Sequence, residues 1–124
     1  QMSIRGNTGF PDDGLITVTK GHIYTPGTPV ITTNMTVTHV NNGVMFLTPI
    51  GGPYDVQGLT AGTTGQVVCF ANNGASTMTL KHENGSASAA NRFWLPGGTD
   101  ISLAQYEGVT LVYNGTAARW MKLK

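Results

Sequence analysis

The side chains here that could bind a metal or move a proton are few. There are three histidines, His22, His39 and His82, and one cysteine, Cys69. There are six carboxylates: Asp12, Asp13, Asp55, Glu83, Asp100 and Glu107. A zinc site takes three or four ligands from cysteine, histidine or carboxylate. His82-Glu83 has no second histidine at helical spacing and lies in a strand-like stretch, so it is no metalloprotease motif. His39 and His82 alternate with apolar residues, as strand-end or interface residues do. Cys69, within Val67-Val68-Cys69-Phe70, has no histidine or basic neighbour to favour a thiolate and reads as a small buried hydrophobe. A glycosidase needs two carboxyls held at fixed separation across a cleft, and no local context singles out a pair. No Gly-x-Ser-x-Gly elbow is present. Gly51-Gly52 and Gly97-Gly98 open no helix carrying a lysine, so they are not phosphate loops. These residues predict no catalytic site, metal or cofactor, and no enzyme.

The aromatic residues are more suggestive. Phe93, Trp94, Tyr106, Tyr113 and Trp120 gather toward the C-terminal end. They suit a sugar-stacking platform, or a sandwich core with a subunit interface, where tyrosine and tryptophan are favoured. The second reading is preferred, with Phe93, Trp94, Tyr113 and Trp120 as core or subunit-interface anchors. Asn34-Met35-Thr36, Asn84-Gly85-Ser86 and Asn114-Gly115-Thr116 fit the glycosylation sequon, as chance allows in a Thr- and Gly-rich chain.

The elements that must position these residues are short strands. Alternating apolar residues are cut at close intervals by Asn-Asn-Gly, Pro-Gly-Gly and Asn-Gly, which is turn chemistry. The pattern predicts an all-β fold, an antiparallel β-sandwich or jelly-roll-like barrel. Residues 1–13 carry little to hold a core and read as an extended N-terminal arm, with residues 14–124 forming one sandwich domain. A first strand starts at Leu15 and runs toward Tyr24, and Thr25–Pro29 breaks the pattern. Val30–Val40 is the longest strand candidate. Val44–Leu47 reads as a strand buried on both faces. Tyr54–Leu59 is a short strand or coil. Gln66–Ala71 and Thr77–His82 form a hairpin through Asn72-Asn73-Gly74. The small-residue loop Asn84–Ala90 has room for one helical turn. Asn114-Gly115 is the strongest two-residue hairpin signal, joining Val109–Tyr113 to Ala118–Leu123. Tyr113 and Trp120 then sit near the open end of that hairpin on one face, with Trp120 buried. A weak echo links Met35-Thr36-Val37 through Gly52 with Met78-Thr79-Leu80 through Gly98, as two units facing each other across a sandwich.

Composition bounds the rest. The 124 residues make one domain. Only 10% are charged and the net charge is +1, too little for a nucleic-acid footprint. Arg119, Lys122 and Lys124 read as a solvated tail. No apolar run is long enough to span a membrane, and the start lacks a signal-peptide core. Met2-Ser3 reads as a translation start, with Gln1 either a remnant or the edge of a fragment.

The stretch 62–120 carries an ordered set of small motifs. Gly62, Gly65 and Gln66 open it; the Asn72-Asn73 turn and the Leu80-x-His82 strand end follow. Then come Asn91-Arg92, a Pro-Gly-Gly-x-Asp turn ending at Asp100, the Val109-x-Leu111-x-Tyr113 strand, and Arg119-Trp120. The set resembles a C-terminal β-module of tailed-phage virion proteins. The resemblance implies a non-enzymatic virion part, commonly a homotrimer. It points first to a capsid decoration or cement protein that clamps neighbouring subunits of the major capsid protein. The arm, with Ile4, Arg5, Phe10, Asp12 and Asp13, would then be the capsid contact. The alternative is the receptor-binding tip of a tail fibre or tailspike that recognises a host-surface polysaccharide. Neither reading involves nucleic acid or a membrane.

Overall fold

The computed structural model describes residues 25–38 and 43–123. The arm with Ile4, Arg5, Phe10, Asp12 and Asp13, the strand candidate Leu15–Tyr24, His22, His39, and Asn41-Asn42 lie outside them. The described residues form two sheets of short strands with only two single 3-10 turns, at Ala89–Asn91 and Pro96–Gly98. The strands are β1 (Val30–Ile31), β2 (Met35–Val37), β3 (Val44–Pro49), β4 (Tyr54–Leu59) and β5 (Val67–Asn72). They continue with β6 (Met78–Leu80), β7 (Phe93–Trp94), β8 (Ile101–Leu103), β9 (Gly108–Asn114) and β10 (Arg119–Lys122). The six-stranded sheet runs β1-β3-β5-β9-β10-β7; the four-stranded sheet runs β2-β4-β6-β8.

The all-β sandwich is therefore present, but the pairing is not all antiparallel. From β1 to β9 the chain changes sheet at every connection. So β1, β3 and β5 stack in parallel, and β2, β4 and β6 stack in parallel across the core. The first half thus winds like a flattened helix. Antiparallel pairing enters at β6–β8, β5–β9 and β9–β10, and β7 joins β10 in parallel at the far edge. A turn signal records that the chain reverses. It does not record whether the returning strand pairs in the same sheet or packs across the core. The expected hairpin at Asn72-Asn73-Gly74 is such a case, because β5 and β6 lie in different sheets.

Asn72 shows what this corner requires. It is fully buried, and its Nδ2 donates to the carbonyls of Ser76 (2.8 Å) and Leu103 (2.9 Å). Its Oδ1 accepts the Gly74 N–H at 2.9 Å. Gly74 must be glycine, since a Cβ there would stand 2.7 Å from the Pro49 carbonyl oxygen.

Other expectations need smaller corrections. The Val30–Val40 strand is broken at Thr33-Asn34, where Asn34 Oδ1 accepts the Asp55 N–H at 2.8 Å. β3 is not buried on both faces: Met45 and Leu47 enter the core while Phe46 faces out. Cys69 is half-buried on an outer face, with Sγ 3.5 Å from Thr110 Oγ1. The Asn114-Gly115 turn is a four-residue loop, because Asn114 pairs with Arg119. Asn114 Oδ1 accepts the N–H groups of Thr116 and Ala117, which competes with a tight two-residue turn. Tyr113 and Trp120 face each other beside that loop, at the closed end of the hairpin. The echo units lie side by side, since β2 and β6 both flank β4.

The core fills the space between the sheets. Ile31, Leu47, Phe70, Leu111 and Trp120 come from one side; Val37, Val56, Met78, Leu80 and Leu103 from the other. Phe70 and Phe93 meet edge to face at 6.5 Å, and Tyr113 and Trp120 at 5.0 Å.

Candidate functional site

The motif residues tie loops to this core. Gly62 leaves room for the Trp120 ring, which a Cβ would approach to 2.9 Å. Gln66 Oε1 accepts the Thr63 N–H at 3.0 Å, closing the loop around Gly65, whose φ is +87°. Trp120 is fully buried, and its Nε1–H is shared between the carbonyls of Leu59 (3.0 Å) and Thr60 (3.2 Å). Tyr113 is buried, and its hydroxyl donates to the Ala90 carbonyl at 3.0 Å. Asn91 Oδ1 accepts the Ala61 N–H, and Arg92 Nε donates to the Ala87 carbonyl.

A second cluster surrounds His82. Asp100 accepts the His82 backbone N–H at 2.8 Å and the Lys81 ammonium at 2.6 Å. Arg119 grips the Glu83 carboxylate through Nε and through Nη2, the latter at 3.0 Å, and Arg92 approaches it at 3.9 Å. Arg119 is thus clasped, not part of a solvated tail. The Arg119 hydrogen bond is the main reason Glu83 is held below the usual carboxylate range. The Lys81 hydrogen bond, then the His82 N–H, do the same for Asp100.

Above this cluster lies an open groove of about 340 Å³, lined by His82, Trp94, Leu95, Pro96, Met121 and Lys122. Strand alternation sends Phe93 into the core and leaves Trp94 45% exposed. The clasped Arg119 holds its guanidinium carbon 5.8 Å from the centre of the Trp94 ring, so the indole stands on a braced support. The Leu95 N–H donates to His82 Nδ1 at 3.0 Å. A neutral ring must then carry its proton on Nε2. Among the described residues Nε2 has no hydrogen-bond partner, and Lys122 has no carboxylate partner. The groove therefore offers an apolar aromatic face with two donors beside it, a pattern that suits a sugar ring.

Of the four anchor candidates, Phe93, Tyr113 and Trp120 are buried and Trp94 is not. His82 and Lys122 also line this groove; neither was singled out as a binding residue in the sequence. The alternation of Phe93 and Trp94 across the strand is the one signal that separates core from surface here. Three of the four described carboxylates are engaged. Glu83 and Asp100 are bound to cations, and Glu107 Oε1 accepts the Ala104 N–H at 2.7 Å. A general acid needs a raised pKa, and both Glu83 and Asp100 are shifted down. Among the described residues no histidine, cysteine and carboxylate group is placed to hold a metal.

Residues 17–121 match the family model described as the phage depolymerase C-terminal beta sandwich domain. The match spans most of the chain, and the chain belongs to that family. No curated protein and no solved structure gives a significant match.

Proposed function

We propose that this chain is a non-catalytic β-sandwich module of a phage tail fibre or tailspike, carried on the virion, and that its groove at Trp94 takes a sugar ring of a host-surface polysaccharide. The observation that carries this reading is the half-exposed Trp94, braced by Arg119 and flanked by His82 and Lys122. An aromatic face held beside Arg119 has less rotamer freedom to lose on binding. Pyranose C–H groups can lie on that face while ring hydroxyls accept from Nε2–H and the ammonium. The family, described by its depolymerases, supports the tail-side reading over the capsid clamp. The engaged state of Glu83, Asp100 and Glu107 supports binding without hydrolysis.

Adsorption of the labelled protein to cells of the host bacterium tests the proposal. Binding should saturate and be competed by the purified surface polysaccharide. Absence of adsorption, together with labelling of the head lattice in imaged virions, would return the chain to the capsid.

A further inference from the structure

The charges at the Trp94 groove are unevenly matched, and this bears on which sugar it takes. The described lysines and arginines are Lys81, Arg92, Arg119 and Lys122. Each lies in the groove or in the cluster beneath it. Lys81 is taken by Asp100, and Arg92 and Arg119 share Glu83. Lys122 is left over, exposed and with no carboxylate partner among the described residues. No carboxylate lines the groove. Its polar side-chain groups are donors: the Lys122 ammonium, the Trp94 indole N–H, and His82 Nε2–H, since His82 Nδ1 already accepts the Leu95 N–H. Met121 Sδ, a weak acceptor, is taken by Asn114 Nδ2 at 3.5 Å. A wall that donates and does not accept suits a ligand group that accepts and does not donate.

We infer that the groove selects an acidic sugar, a hexuronic acid whose carboxylate lies between His82 Nε2–H and the Lys122 ammonium. The inference rests on the sugar site proposed above and adds the charge of its ligand. An ionised carboxylate is acceptor-only, and its two oxygens match two donors. In a hexuronic acid that group hangs from the ring edge, so the C–H face stays free to lie on Trp94. A neutral hexose brings a hydroxymethyl group to the same place. Its oxygen can accept, but its own O–H finds no side-chain acceptor, and the ammonium keeps an unanswered charge. Hydrogen bonds to a charged acceptor are also the stronger ones. The preference is the difference between these two affinities. Because the groove is open, salt should screen the pair.

Calorimetry with oligosaccharides cut from the host's surface polysaccharide tests this. One portion is used as isolated, and one after its carboxyls are reduced to primary alcohols. The native portion should bind about tenfold tighter or more. Lys122→Gln, at an exposed position, should keep the wild-type unfolding temperature. It should lower affinity for the native portion about three- to tenfold and leave that for the reduced portion unchanged. Raising salt from about 50 mM to about 500 mM should weaken binding of the native portion and spare the reduced one. Equal binding of both portions, lost in Trp94→Ala, would overturn the acidic preference and leave the sugar site standing. Native binding that ignores Lys122→Gln would also overturn it, by placing the carboxylate elsewhere. Absence of binding by either portion would overturn the inference and the sugar site together.

Discussion

Trp120 and Asn72 do comparable work at opposite ends of the molecule, one in apolar area and one in hydrogen bonds. Replacing Trp120 with alanine removes the largest fully buried side chain and leaves the Leu59 and Thr60 carbonyls without its indole donor. The expected loss is about 3–5 kcal/mol, read from urea unfolding. Asn72→Asp keeps the shape but cannot donate to the Ser76 and Leu103 carbonyls, and it buries a charge. It should cost about 3 kcal/mol or more; a loss under about 1 kcal/mol would mean that the corner is wetter than described. The burial of Trp120 was legible, because its strand alternates and the hairpin fixes its face. Asn72 was legible only as a turn residue, since asparagine serves an exposed turn and a buried knot with the same side-chain amide. Trp94 was harder: Phe93 and Trp94 are both large and aromatic, and only strand phase decides which of them is buried.

Between elements, the Glu83–Arg119 clasp joins the end of β6 to β10 and closes the sheet edge that β7 occupies. Glu83 holds φ at +45°, a conformation that side chains rarely adopt, so this loop is held by its partners. Because its pKa is lowered on folding, the clasp stabilises the fold at pH values above the ordinary glutamate value, about 4.3. That contribution disappears as pH falls through the lowered folded value. Glu83→Gln should therefore lower the unfolding temperature at pH 7, and the gap from wild type should close as pH drops below about 4. A gap that stays undiminished at pH 2 would mean that the loss does not come from the ion pair. Strand positions were largely legible from turn residues and alternation. Strand partners were not, because Asn-Asn-Gly and Pro-Gly-Gly also mark crossings between sheets, and parallel neighbours such as β3 and β5 leave no local trace.

At the scale of the molecule, the sandwich puts the Trp94 groove at the β7 edge of the six-stranded sheet. The resemblance placed the chain on a phage particle through motif residues that turn out to hold loops: Gly62, Gln66, Asn91, Asp100 and Arg119. The expectation of a virion part followed from those residues. The choice between head and tail did not, because loop anchors say nothing about what the finished surface meets. The central claim is that this surface meets a glycan at Trp94. Titration of an oligosaccharide from the host's surface polysaccharide, followed by calorimetry, tests it most directly with wild type and Trp94→Ala side by side. Trp94 is exposed and its strand partner Met121 remains, so the variant should fold with an unfolding temperature near that of wild type. Wild type should bind, and the variant should lose affinity by about tenfold or more, as for removal of a binding hot spot. Equal binding by the folded variant and wild type, or no binding by either, would contradict the claim.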